Sequence, residues 1–188
     1  MSLIKSISGI RGTIGGITND NLTPVDIVKF TAAYGTLMLQ QNSNNKGASS
    51  KKIVLGRDGR ISGVMLKNLV IATLNGLGID VIDLDLSTTP TVEMAVVFLK
   101  ADGGIILTAS HNPREWNALK LLNHLGEFIS AEEGQKILKL AEKEAFNFAP
   151  VDKLGTCVSD HSMLDEHIKA ILKYKWVDAK AIAEAKFT

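Results

Sequence analysis

The residues of this 188-residue chain best suited to chemistry are Ser110, His111 and Asn112. They follow Gly103-Gly104-Ile105-Ile106-Leu107, an apolar run too short for a helix and bounded by glycines, which reads as a buried strand. Thr108 and Ala109 lead out of it, and Pro113 closes the turn. Ligands of α/β proteins bind outside the carboxyl ends of strands. A hydroxyl, an imidazole and an amide gathered there form either a reactive loop or a polar turn that ends a core strand. Cations elsewhere could serve such a loop. Arg11 lies among glycines in Ser8-Gly9-Ile10-Arg11-Gly12, read as a flexible loop, and its planar fork suits a phosphate. Arg60 stands in Gly56-Arg57-Asp58-Gly59-Arg60-Ile61-Ser62. There the charges either bind an anion at a helix N-terminus or pair with one another to fix the loop. Lys120 follows Ser110 closely enough for a hairpin-like return to carry its ammonium toward the serine.

The elements around these residues alternate between strand and helix. Leu3 to Ile7 alternates as a strand, and Thr23-Pro24-Val25-Asp26 starts a helix whose buried face is Ile27, Phe30, Thr31, Tyr34, Leu37 and Met38. Asn42 to Ser50 is a polar loop. Lys52 to Leu55 is a second strand, and Ser62 is placed to cap the helix that runs to Gly76. Ile79 to Asp85 is a third strand, with Asp83 and Asp85 on one face. Strand-edge aspartates of this kind are expected to face solvent rather than hold a metal. Thr88-Thr89-Pro90 opens a helix through Leu99. After the serine loop, Glu115 to Leu122 forms a further strand, and Ser130-Ala131-Glu132-Glu133 fits a capping box for the next helix. Phe146 to Gly155 reads as loop. Asp160 to Tyr174 is helical, with Met163, Leu164, Ile168, Ile171 and Leu172 as its expected buried side. His161 and His167 share no helix face and are expected at the surface.

Length and composition set the class. The chain is long enough for one well-buried domain. Its 21 basic and 20 acidic residues give a net charge of +1, so no field favours nucleic acid or an acidic membrane surface. The single cysteine, Cys157, has no internal partner, and neither a signal segment nor an apolar run of membrane-spanning length is present. The expectation is a cytoplasmic protein with no nucleic-acid and no membrane partner. The alternation of strand and helix points to an α/β layer fold.

Thr108-Ala109-Ser110-His111-Asn112-Pro113, followed by Asn117 and Lys120, resembles the phosphoserine loop of the α-D-phosphohexomutases, the family of phosphoglucomutases, phosphomannomutases and phosphoglucosamine mutases. Ser-Gly-Ile-Arg-Gly around Arg11 and Gly-Arg-Asp-x-Arg-x-Ser around Arg60 resemble two further motifs of that family, in the family's order. The resemblance covers residues 8 to 126. It departs at Ala118, where a glycine is common, and at Trp116, where a tyrosine is common, which bears on the loop's shape rather than on the serine or lysine.

The resemblance implies the N-terminal, phosphoserine-bearing domain of a phosphohexomutase, an enzyme that interconverts hexose 1- and 6-phosphates through a hexose bisphosphate, and with it a three-layer α/β/α sandwich with a mixed sheet of about four strands. Ser110 would carry the phosphate, and Mg2+ would bind through an oxygen of that phosphate. Arg11 and Lys120 would face the phosphate, His111 would be a candidate base, and Asn112 and Arg60 would bind substrate or phosphate, Arg60 chiefly by supporting the loop. The family's metal loop Asp-Gly-Asp-x-Asp-Arg, its sugar-selecting loop and its C-terminal phosphate loop do not occur. Residues 1–175 are therefore expected to form the N-terminal domain and 176–188 the start of a linker to further domains of the same polypeptide. The fragment alone is expected to be inactive. Two other readings remain: a non-catalytic anion-binding or interaction domain on the same fold, and a serine hydrolase using Ser110 and His111. The hydrolase lacks a Gly-x-Ser-x-Gly elbow.

Overall fold

The computed structural model describes residues 2–6, 9–41 and 50–186. The strands are β1 (Ile4–Ser6), β2 (Gly9–Thr13), β3 (Lys52–Arg57), β4 (Asp80–Leu86), β5 (Gly103–Leu107), β6 (Trp116–Leu122) and β7 (Cys157–Ser159). The helices are α1 (Pro24–Gln40), α2 (Gly63–Gly76), α3 (Thr89–Phe98), α4 (Ala131–Lys143), α5 (Met163–Leu172) and α6 (Ala179–Ala185).

The strands form one mixed sheet of seven, in the order β1-β2-β6-β5-β3-β4-β7. β4, β3 and β5 run parallel, and β7 runs parallel to β4, while β6 is antiparallel to both β5 and β2. This corrects the expectation of about four strands. Part of the difference lies in Gly9–Thr13, read as a flexible loop because of its glycines. The segment pairs with β6 in register Ile10↔Leu119, Arg11↔Ala118, so Arg11 belongs to a strand. The rest is Cys157–Ser159, which becomes a strand by pairing with Val81 to Asp83. Ser8, part of the same arginine motif, and residues 42–49 of the polar loop lie outside the described residues.

Helices cover both faces of the sheet, as a three-layer α/β/α sandwich requires. α1, α2 and α4 pack on one face through Phe30, Tyr34, Met38, Leu66, Leu74 and Ile137 against Ile53, Leu55, Ile105 and Leu119. α3 covers the other face with Val92 and Val96 against Val54, Ile106 and Leu122. Thr23 caps α1 in a capping box with Asp26, Thr88 caps α3, and Ser130 and Glu133 form the box of α4. Ser62 does not cap α2. Its hydroxyl accepts a hydrogen bond from Asn117 Nδ2 at 2.9 Å. The buried Tyr34 hydroxyl donates to the carbonyls of Gly104 (3.2 Å) and Leu122 (2.8 Å), tying α1 to the start of β5 and the end of β6.

Asp83 and Asp85 do not face solvent as a bare pair. Lys67 Nζ lies 2.9 Å from Asp83 and 3.1 Å from Asp85, and Arg57 Nε lies 2.8 Å from Asp85. Asp83 is buried at 5% exposure, and Asp85, one residue before the end of β4, takes a left-handed backbone at φ 52°. The hydrogen bond from Lys67, against a smaller cost of burial and with Arg57 adding to it, holds the Asp85 carboxyl below its ordinary pKa. Burial works against the charge on Lys67, but the two aspartates outweigh it and raise the ammonium's pKa.

Of the face expected to be buried on α5, only Met163 is, while Leu164, Ile168, Ile171 and Leu172 are exposed. His161 is exposed, and His167 is half-buried with Nδ1 2.9 Å from Thr91 Oγ1. Residues 179–185, expected to be linker or first turns, form the exposed helix α6. No helix among the described residues is long and apolar enough to cross a membrane.

Tyr34→Phe removes one donor from two buried carbonyls and is expected to cost about 1–2 kcal/mol. This would be read as a lower urea midpoint at unchanged m. Asp85, depressed in the folded state, stabilises fully above the ordinary aspartate pKa of about 3.9 and loses that contribution as pH falls through its lower folded value. The melting-temperature gap between wild type and Asp85→Asn should therefore be constant near neutrality and close below about pH 4.

Candidate active site

The parallel strands β3, β4 and β5 end on one edge of the sheet, and the loops leaving β3 and β5 meet there. Asp58 N–H donates to the carbonyl of Leu107, the last residue of β5 (3.0 Å). Ser110 stands at the tip of the β5 loop, exposed, with φ 54°. A left-handed conformation costs an L-residue about 1–2 kcal/mol, so the surroundings must impose it. Local bonds supply part of this. Ser110 N–H donates to the Oγ1 of buried Thr108 (3.2 Å), and both the N–H and the Nδ2 of Asn112 donate to the Ala109 carbonyl (3.0 and 2.7 Å). Asn112 thus closes the turn with its side chain.

Arg60 supplies the rest. Its Nη1 donates to the carbonyls of Pro113 (2.7 Å) and Trp116 (3.0 Å), and its Nη2 to those of Ser110 (2.9 Å) and Asn112 (2.7 Å). Its Nε donates to Asp58 Oδ2 (3.2 Å), while Asp58 Oδ1 accepts the Arg60 backbone N–H (3.0 Å). A guanidinium has five N–H donors, and each has a partner here. Arg60 therefore holds the loop and keeps no donor for a phosphate. The part expected of it is chiefly to support the loop, with direct contact to phosphate second, and these bonds are of the supporting kind.

His111 is exposed beside the serine, its Nδ1 3.5 Å from Ser110 Oγ. Arg11 lies in a row with Ala118 on β6 and Thr108 beyond β5, since Arg11 pairs with Ala118, whose carbonyl accepts from Thr108 N–H (3.3 Å). Its Nε is buried with no hydrogen-bond partner, an orphaned donor of the kind that folded proteins rarely keep. β5 and β6 form the antiparallel return expected after the serine, but its register pairs Lys120 with Ile106. Lys120 therefore pairs four residues before Ser110 along the chain. By alternation it shares the α3 face of the sheet with Arg11. Its ammonium lies 5.8 Å from the Phe128 ring and acts on Glu93 of α3, whose carboxyl burial pushes above its ordinary pKa while Lys120 pulls it partly back.

The structure thus gathers Ser110, His111, Asn112 and Arg60 in one loop cluster, with Arg11 and Lys120 on a shared face of the adjoining strands. Sequence reasoning missed Thr108 as the acceptor beneath the serine and Glu93 beside Lys120, and it named Asn117 in the motif without its bond to Ser62. Among the described residues no group of three or more His, Cys, Asp or Glu lies close enough to hold a metal ion.

Residues 4–148 match the family profile "Phosphoglucomutase/phosphomannomutase, alpha/beta/alpha domain I". The chain is 36% identical over 177 residues to a phosphoglucomutase/phosphomannomutase of Thermococcus kodakarensis, covering 93% of this chain and 37% of that protein. It is 33% identical over 188 residues to a phosphoglucosamine/phosphogalactosamine mutase of Sulfurisphaera tokodaii, covering 100% of this chain and 38% of that protein. The solved structure of a putative phosphomannomutase from Thermus thermophilus superposes with a TM-score of 0.72 at 27% identity, over 96% of this chain and 38% of that one. The chain therefore spans little more than a third of the length of these relatives. With the profile covering most of its length and the fold shared, the chain belongs to the phosphoglucomutase/phosphomannomutase family, in which it corresponds to the α/β/α domain I.

Proposed function

We propose that this chain is the phosphate-carrying domain of a phosphohexomutase, with Ser110 as the carrier. A hydroxyl oxygen of a hexose phosphate attacks the phosphorus of phosphoserine, the bond from phosphorus to Ser110 Oγ breaks, and the hydroxyl proton passes by way of a base to Ser110 Oγ, which leaves as the free hydroxyl. The product is a hexose bisphosphate. In the return step Ser110 Oγ attacks the sugar's other phosphate and gives up its proton, the bond from phosphorus to the sugar oxygen breaks, that oxygen takes the proton and leaves as a hydroxyl, and the serine is rephosphorylated. Phosphoryl transfer needs placement and charge neutralisation more than a strong nucleophile. The observation that carries this reading is an exposed serine held in a left-handed turn at the C-terminal edge of β5, where such sheets bind ligands.

A phosphoserine carries a charge of about −1.5 to −2 near neutral pH. Arg11 and Lys120 are assigned to offset it, supported for Arg11 by its orphaned Nε and for Lys120 by the sheet face the two share. His111 is assigned the hydroxyl proton, supported by its ring nitrogen beside Ser110 Oγ. Asn112 shapes the turn that presents the serine. Mg2+, bound through an oxygen of the serine phosphate, would add positive charge where the phosphoryl group moves. The described side chains do not themselves form a metal site, so the chemistry assigned to this chain is that of its serine, its cations and its loop. Because the relatives are far longer, we assign sugar selection, the rest of the metal site and turnover to further domains of a longer polypeptide, acting in the cytoplasm.

The test is mass spectrometry of the complete gene product after incubation with a hexose 1,6-bisphosphate. Wild type should carry one phosphate, on the peptide containing Ser110, and Ser110→Ala should carry none and lose mutase turnover. Phosphate on another residue, or full activity in Ser110→Ala, would overturn the assignment. Bisphosphate bound without transfer to Ser110 would favour an anion-binding domain instead.

A further inference from the structure

We infer that Arg60 is a positioning residue for phosphoryl transfer, acting by holding the backbone of the serine loop rather than by contributing charge to the phosphate. Its effect on turnover rests on Ser110 as the phosphate carrier, while the clamp itself does not. All five guanidinium donors are engaged. Four go to carbonyls of Ser110, Asn112, Pro113 and Trp116, which bracket the whole turn, and the fifth goes to Asp58. Asp58 is in turn fixed by the Arg60 backbone N–H and, through its own N–H, by the end of β5. The Arg60 side chain is only 12% exposed, so water competes weakly for its donors.

The directions of those bonds explain why the residue must be arginine. Ser110 and Asn112 share one terminal nitrogen, and Pro113 and Trp116 share the other, so the planar fork spans the loop from tip to base. A lysine presents three donors from one point and can reach only part of that set, although its charge is the same. Lysine at this position therefore separates geometry from charge. The serine, left at positive φ without the fork, would relax toward commoner backbone conformations and move its oxygen off the line of transfer. A displacement of about 1 Å costs on the order of 100-fold in rate.

The experiment compares wild type, Arg60→Ala and Arg60→Lys in the complete gene product, by hydrogen exchange and by kinetics. Expected first is faster exchange of the Asn112 and Trp116 amides in both variants, with the amides of β5 and of β6 beyond Trp116 unchanged. Unchanged exchange in the loop, or faster exchange throughout the domain, would overturn the clamp. Expected next is a kcat lower by about 100-fold in both variants with KM nearly constant, and partial recovery of Arg60→Ala in added guanidinium. Wild-type kcat in Arg60→Lys would show that charge suffices, and a rise in KM alone would show direct phosphate binding. Either result overturns the inference. If wild-type Ser110 takes up no phosphate, the functional reading fails on its own, and the exchange comparison still decides the clamp.

Discussion

A sharp turn at a strand end turns its carbonyls away from the sheet, and each needs a donor if the turn is to hold one shape. Around Ser110 one side chain meets most of that need, with Asn112 taking the Ala109 carbonyl. The Arg60 guanidinium takes the carbonyls of Ser110, Asn112, Pro113 and Trp116 at 2.7 to 3.0 Å, so the loop's geometry is fixed from the neighbouring β3 loop rather than by its own residues alone. Backbone strain of the kind seen at Ser110 persists only where surrounding contacts over-determine it. Here those contacts are the fork above the turn and Thr108 and Asn112 within it.

The sheet makes that arrangement possible. β3 and β5 are adjacent and parallel, in register from Ile53↔Gly103 to Arg57↔Leu107, so their loops leave the same edge together. Buried side chains on both faces hold the two strands, with Leu55 and Ile105 under α1 and α2 and Val54 and Ile106 under α3. β6 then returns antiparallel beside β5 and is anchored near its start by Asn117, whose amide donates to Ser62 at the start of α2. The serine loop and its flanking strands are thus bound to the β3–α2 connection by Arg60, by Asn117 and by the Asp58 N–H on Leu107.

Much of this was legible in the sequence, and the reasons are particular. Ile105-Ile106-Leu107 announces a strand covered on both faces, and Thr23, Thr88 and Ser130 announce helix starts because their hydroxyls satisfy otherwise unpaired N–H groups. β2 was hidden because Gly-Ile-Arg-Gly-Thr has little strand propensity of its own. It is a strand because β6 lies beside it, a tertiary effect that overrides local preference. The apolar spacing of α5 suggested a buried face, yet periodicity reports which side of a helix is apolar and says nothing of what covers it. Ser62 reads as a cap from its place in the chain, but its partner Asn117 is 55 residues away. Arg60 and Asp58 were visible as charges. Which carbonyls Arg60 reaches was not, because backbone acceptors leave no mark on residue identity.

The distribution of positive charge follows the same division. Arg57, Arg60 and Lys67 are matched to Asp85, Asp58 and the pair Asp83 and Asp85, so the cations nearest the loop's frame are already engaged in building it. Arg11 and Lys120 differ. Arg11 keeps a buried Nε without a partner, and Lys120 rests against the Phe128 ring, near a Glu93 carboxyl that burial drives toward its neutral form. Under the proposed chemistry, phosphorylation of Ser110 would bring charge of the sign these two can use while asking nothing of the pairs that shape the loop. A domain organised this way can change the charge on its serine through a catalytic cycle without changing the geometry that presents it.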